Sequence, residues 1–478
     1  DSIAYENGKP RQTIRLSTES DSKSDISKDV ICDGTPSGKK RSTKGKATQW
    51  EEVVHNCALW ASISDESSAD LSALRDSVAY IAKMAQEACT SALRPLGDNP
   101  WSDLEYPVRV LKRLEELTTS GSVPRFNSSE VALLVAAPFA REHALAKSLA
   151  FHTPAQPTNL GTLHEVLGAD IREVRQSIEL SYKSFPALVR RAENLRVRAK
   201  PWGRKSKSMR KDAHTIALWL LYRHLARSSQ LWQRAPFGCI DSDVGRLRPF
   251  DESSPSSARL ILTQVRLLKL AKCVRGEADR LARTDIPDPL ESIVQVSADG
   301  EPIRERLLGA LLCLAGWMAI DTRSLSEVAV DHVAIGDPVN PNDFSCVINE
   351  GAWTNLGRAL QLTAICPHPA IDFSLREAVA DANRILTALI RMASQDSVLK
   401  EIALSLPGQL TSDGLAPALI NGRPAFSTPH QRFTLANDEI REILMGEELY
   451  GEPELAIREL YQNALDACRY RQARTEYL

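Results

Sequence analysis

The stretch Ser128–Phe151, SSEVALLVAAPFAREHALAKSLAF, decides the reading of the fold. Its apolar residues recur three and four positions apart, which is the signature of a helix with a buried stripe. Asn127 followed by Glu130 has the spacing of a capping box, so the helix should begin there. Pro138 lacks a backbone donor and predicts a kink or a division of the helix. The preceding stretches VVHNCALWASI (53–63), LSALRDSVAYIAKMAQEAC (71–89) and YPVRVLKRLEEL (106–117) repeat the pattern. The expected fold class is mainly α, built from helical bundles.

Composition sets the limits of function. Over 478 residues, 59 Lys and Arg nearly balance 61 Asp and Glu, a formal net charge of −2, so no global field demands nucleic acid or membrane. No apolar run approaches the roughly 20 residues of a membrane span. Nine cysteines are scattered without a CxxC pair, which indicates neither zinc nor a disulfide framework. Cys313, inside LLGALLCLAGW, reads as a small core hydrophobe, and the cysteine pattern suggests a reducing, cytoplasmic setting. Placed near Glu142, His143 and His152 invite a metal site of the HD-phosphohydrolase kind. The chain contains no His-Asp dipeptide, so that reading lacks its central ligand pair, and a core or surface histidine is favoured. His368, between prolines in CPHPAID, reads as a turn residue.

Breaks in pattern divide the chain. Residues 1–47 are rich in Ser, Lys, Asp and Gly and read as a disordered arm. A helical domain is expected over 48–234, a Pro- and Ser-rich linker over 235–256, and a second helical domain over 257–394. Within the latter, RLLGALLCLAGWMAI followed by DTRSLSEVAVDHVAI, with an Asp321 or Ser324 cap and a β-prone end, has the rhythm of a small winged-helix module. Residues 395–432 read as a further linker with a short strand near Ala418–Ile420, and 433–478 as the last segment. The run RRAENLRVRAKPWGRKSKSMRK, Arg190–Lys211, is strongly basic, and Pro201, Trp202 and Gly203 place it in an exposed loop between helices. Phosphate contacts there, with Trp202 stacking on a base, are the nucleic-acid reading; a solvated loop facing acidic neighbours is the alternative.

The final stretch, Gly451–Leu478, reads GEPELAIRELYQNALDACRYRQARTEYL. Pro453 suits a first helical turn, and no Gly or Pro follows until past Arg474. Leu460, Ala464, Ala467 and Cys468 fall on one stripe, with Arg458, Arg469, Arg471 and Arg474 on a basic face. Glu459 and Asn463 are four apart and Asp466 is three further on, so the three project from one side. The segment ELYQNALDA, Glu459–Ala467, resembles the N-box of the GHKL (Bergerat-fold) ATPase superfamily, and its lead-in is similar to the heat-shock protein 90 branch. The resemblance implies the beginning of an α/β Bergerat domain that binds ATP with Mg²⁺. By position, Glu459 would be the catalytic base that orients water, Asn463 the Mg²⁺ ligand, and Asp466 and Ala467 part of the nucleotide pocket. The superfamily's adenine-recognising Asp and glycine-rich lid would fall past Leu478, so these residues alone are not expected to turn over ATP; with Asp1 in place of Met, both ends read as those of a fragment. The implied function is a nucleotide-driven conformational switch in a regulatory, defence or chaperone protein, acting on a protein client or effector, with homodimerisation among its expectations. The alternative is a helical scaffold or interaction protein, with nucleic acid as one candidate partner.

Overall fold

A computed structural model of the chain describes residues 48–63, 68–96, 99–119, 126–152, 182–199, 203, 205–227, 256–286, 289–295, 302–333, 338–403, 406–428 and 453–477. These belong to one compact unit, Lys44–Leu478. The arm over 1–47 and, of the linker over 235–256, residues 235–255 lie outside the described residues, as does Trp202, while Ser256 already begins a helix.

Fourteen α-helices dominate the described residues: α1 (Trp50–His55), α2 (Ser68–Leu93), α3 (Tyr106–Thr119), α4 (Ser128–His152), α5 (Pro186–Arg198), α6 (Ser206–Arg227) and α7 (Ser256–Ile261) form the first half. The second half comprises α8 (Gln264–Cys273), α9 (Glu305–Met318), α10 (Val328–Asp331), α11 (Pro341–Glu350), α12 (Pro369–Ala393), α13 (Ser397–Ala403) and α14 (Pro453–Tyr477). The chain is mainly α, as its periodicity predicts.

Helix α4 is the axis of the bundle. Residues 130–137 and 139–144 are all buried, so it is covered on every side rather than along one stripe. The capping box forms: Asn127 Oδ1 accepts from the Glu130 amide at 2.9 Å, and Glu130 Oε2 accepts from the Asn127 amide at 3.4 Å. Glu130 also binds the Arg304 guanidinium at 2.7 and 2.8 Å, which ties the start of α4 to the start of α9. Pro138 sits inside α4 without dividing it. Helices α2, α3, α6 and α8 pack around this axis together with α9, itself buried along nearly its whole length. Tryptophans anchor the layers through their polar edge: the Trp50 indole donates to Leu104 O at 3.0 Å, and the Trp101 indole to Thr215 O at 2.9 Å. One hydrophobic core runs from Trp50 to Leu415.

A small sheet closes one side. Strands β1 (Ala352–Leu356) and β2 (Ala359–Cys366) form a hairpin, and β3 (Gln409–Pro417) lies parallel to β2 after the α12–α13 crossover. The buried face of β2 and β3, with Leu362, Ala364, Leu410 and Leu415, packs on α12. The β2–β3 register slips near Thr363, opposite Gly414, where a Cβ would lie 2.6 Å from Thr363 Oγ1 and 2.7 Å from Leu362 O. Only glycine fits that bulge. A two-residue pair, β4 (Leu419–Ile420) and β5 (Arg423–Pro424), follows, so the strand expected near Ala418–Ile420 is present, and β3 before it is part of the packed body.

Two expectations change. In the winged-helix rhythm of 321–335, α10 is a single turn and His332 and Val333 form a turn; residues 334 and 335 lie outside the described residues, among which the first strand is at Ala352. The apolar residues there, Ala329, Val330 and Val333, are instead buried in the common core. The basic run 190–211 is not chiefly a loop, since Arg190–Arg198 belong to α5 and Lys207–Lys211 to α6. Helix-favouring Arg, Lys and Ala outweigh the interruption at 199–205.

Candidate functional site

Arg141 and Glu142 interrupt the wholly apolar run of α4 and are themselves buried. Ion pairs in that setting must satisfy one another, because an unpaired buried charge is costly. The partners come from two other segments. The turn after α9 supplies Asp321 and Arg323, the lead into α3 supplies Asp103, and the first turn of α3 supplies Arg109.

The Arg323 guanidinium forks across both carboxylates, donating to Glu142 at 2.6 and 2.9 Å and to Asp321 at 2.7 and 3.0 Å. Arg141 bridges the same two acids at 2.7 and 3.3 Å. Arg109 makes a bidentate pair with Asp103 at 2.6 and 3.0 Å and donates to the carbonyls of Ala319 and Ile320, each at 3.0 Å. Thr322 Oγ1 joins the two halves by donating to Asp103 Oδ2 at 3.1 Å. Three guanidinium groups thus balance three carboxylates. Tyr106 lies among the cations, with Arg141, Arg323 and Arg109 at 4.9, 5.3 and 5.9 Å from its ring centroid. Its hydroxyl donates to Gly316 O at 3.0 Å, and burial pushes its pKa up to about 12.

The electrostatics follow from this packing. Burial alone would raise the Asp321 carboxyl, but Arg323, Arg141 and Arg275 outweigh it and hold the group well below the usual carboxylate range. Burial likewise opposes the charge on Arg323, and Asp321 and Glu142 overcome it, keeping the guanidinium firmly protonated. Asp321 also caps the short turn Thr322–Ser324 through the Arg323 amide at 3.0 Å, the capping role expected for it. On the far side, Arg223 of α6 donates to Ser324 O and Leu325 O, both at 2.7 Å. Ile320, at the hinge of this turn, has φ +48°, a left-handed conformation that a β-branched residue adopts only under constraint. Arg109 on its carbonyl supplies part of that constraint.

A cavity of about 40 Å³ adjoins Glu142, Asp103 and Arg323, with Cys89, Leu104 and Tyr222 also on its wall. By volume it admits about two or three water molecules. Among the described residues, no group of three or more His, Cys, Asp or Glu side chains could hold a metal ion. His143 is buried in α4, as favoured by sequence, and the side chain of His152 lies outside the described residues. His368 caps α12, its Nδ1 accepting from the Ala370 amide at 3.0 Å.

The residues singled out at the C-terminal end sit elsewhere. Pro453–Tyr477 is one helix, as predicted, and Glu459, Asn463, Asp466 and Ala467 are all exposed on it. Arg469 approaches Asp466 at 3.5 Å.

The iHD-CE family model matches residues 50–418, well over half of the chain. The chain belongs to the iHD-CE family. No curated protein matches the chain. No solved structure matches it. The family match corrects the resemblance at Glu459–Ala467: the family found is not a GHKL or heat-shock protein 90 family, and its residues are the helical body. The ATPase and chaperone readings fall with it. A nine-residue pattern on a polar helix was too short a warrant, since Glu, Asn and Asp at helical spacing also describe a solvated face. Sequence reasoning passed over the arginines and Asp103 of the cluster. The available signal was Arg141-Glu142 embedded in an otherwise apolar helix.

Proposed function

We propose that the chain is a helical scaffold or interaction protein whose buried polar chemistry holds its architecture while its surface helices meet partners. The observation that carries this reading is the charge-balanced cluster: each of Asp103, Glu142 and Asp321 is bridged by buried guanidinium groups. A carboxylate so engaged is not poised as a base, because its lone pairs already accept charge-assisted hydrogen bonds. The mainly helical fold and the iHD-CE match support the same reading. The absence of a spanning candidate among the described helices leaves their exposed faces open to aqueous partners.

The test compares wild type with Glu142→Gln in the full chain, using a panel of nucleotide and phosphoester substrates alongside thermal unfolding. Lowered stability with no change in background hydrolysis is expected. Turnover that Glu142→Gln abolishes without lowering Tm would overturn the proposal.

A further inference from the structure

The three-stranded sheet has two edges, β3 and β1. Helix α12 satisfies the first: the Leu410 amide donates to Asn383 Oδ1 at 2.8 Å, and Arg376 donates to Ser412 O at 3.2 Å and Leu415 O at 3.1 Å. The other edge is bare. The β1–β2 hairpin turns on two residues, Gly357 and Arg358, with Gly357 at φ +71°, so Leu356 and Ala359 close the turn as a hydrogen-bonded pair. Pairs alternate along an antiparallel ladder, so Ala352, Thr354 and Leu356 bond β2 while the amides and carbonyls of Trp353 and Asn355 point off the edge. Among the described residues, those outward groups have no hydrogen-bond partner. Proteins blunt such edges with charge, proline or a bulge. Ala352–Leu356, AWTNL, has none of these, and four of its five residues are exposed.

The nearest charges stand just outside the strand. Glu350 ends α11 and Arg358 lies in the turn; both are exposed, and neither has an ion-pair partner among the described residues. One lies four positions before Thr354 and the other four after it. An antiparallel pairing of β1 with itself, about a two-fold axis beside Thr354, uses the outward groups: Trp353 then faces Asn355 of the second copy and exchanges both backbone bonds with it. The same register sets Glu350 opposite Arg358 of the second copy, twice by symmetry. Moving the axis to Trp353 or Asn355, the adjacent registers that use the same groups, sets Arg358 opposite Ile348 or Ala352 instead. On the solvent face the two Thr354 side chains meet, and Leu356, 56 % exposed in the single chain, is covered by Ala352 of the second copy.

We propose that β1 pairs with β1 of a second copy, antiparallel and centred on Thr354, joining two three-stranded sheets into one of six strands. This rests on the interaction-protein reading and gives it one partner, the chain itself. Charge complementarity in a single register favours the second copy over an unrelated extended peptide, which would need only the bare edge. A strand edge is small beside the roughly 1,200 Å² of a standard interface, so the dimer should exchange with monomer at micromolar concentration.

The experiment is sedimentation velocity of the full chain over a micromolar concentration series. Asn355→Pro removes an outward amide and spares the ladder with β2, and it should weaken dimerisation about tenfold. Glu350→Arg and Arg358→Glu should each weaken it about tenfold, whereas Glu350→Arg/Arg358→Glu should restore it to within about threefold of wild type. Thr354→Cys should form an intermolecular disulfide under diamide, because the two thiols face each other across the axis in a non-hydrogen-bonded pair. Ala352→Cys, opposite Leu356, should cross-link no more than wild type, in which exposed Cys346 and Cys468 set the background. Circular dichroism checks folding, and the charge exchange keeps the test decisive should the proline disturb β1. A chain that stays monomeric throughout, a double charge exchange that fails to rescue, or a dimer without the Thr354→Cys cross-link would each overturn the assignment. Capture of an extended peptide by a chain that stays monomeric would do the same. None of the substituted positions contacts the Glu142 cluster, so its hydrolysis and Tm readouts are separate, and failure here is distinguishable from failure of the interaction-protein reading.

Discussion

Replacing Arg323 by Met removes one charge from the buried cluster while keeping most of the side-chain volume. Four hydrogen bonds are lost, two to Glu142 and two to Asp321. Glu142 is left with Arg141 at 2.7 Å, and Asp321 with Arg141 at 3.3 Å. The cluster then carries an uncompensated negative charge away from water, and breaking such a pair costs about 3–5 kcal/mol. Unfolding entropy of about 2.1 cal/mol/K per residue over the 319 described residues makes each kcal/mol worth about 1.5 °C, so Tm should fall by about 4.5–7.5 °C. Removing both partners is different: Arg323→Met/Glu142→Met restores charge balance and should be at least about 2 kcal/mol more stable than the sum of the single changes. Denaturant unfolding of the four proteins measures both quantities. A loss below about 1 kcal/mol for Arg323→Met, or simple additivity, would refute the view that these charges depend on one another.

Further outcomes follow from the same geometry. The folded-state pKa of Asp321 lies below its unfolded value, so its contribution is complete above about pH 4 and is lost as pH falls further; Asp321→Asn should flatten the acid limb of a stability–pH profile. Gly414→Ala brings a Cβ against Leu362 O and Thr363 and should cost about 1–3 kcal/mol by denaturant unfolding. Among the described cysteines, Cys346 and Cys468 are exposed and should be alkylated first, whereas Cys57, Cys89, Cys273, Cys313 and Cys366 should react only on unfolding, as peptide mass spectrometry would show. Burial that pushes the thiols of Cys57, Cys273 and Cys366 up to about 12 reinforces this order.

Local rules were enough for the helices. The Asn127–Glu130 cap, the buried runs of α4 and α9, and the uninterrupted helix from Pro453 all follow from spacing and propensity, which act within a few residues. The cluster was harder to see because it is made by long-range pairing: Arg323 and Glu142 are 181 positions apart, and Arg109 reaches Ile320 across 211. No local pattern encodes such a partner. The sheet hid for a related reason, since β2 and β3 pair only after a crossover through α12, and the intervening Pro- and Gly-rich composition reads as linker. At Glu459–Ala467 the error ran the other way: helical spacing placed the polar residues correctly on one side, but spacing alone does not supply a pocket.

If the Asp103–Arg109, Arg141–Glu142 and Asp321–Arg323 cluster is an architectural centre rather than a mobile site, its backbone opens only when the whole fold does. Native-state hydrogen exchange on the full chain tests it most directly. Amides of residues 106–111, 139–143 and 319–324 should exchange only through global unfolding, with protection equal to the stability measured by denaturant. Exchange of these segments through local opening, at free energies several kcal/mol below the global value, would contradict it.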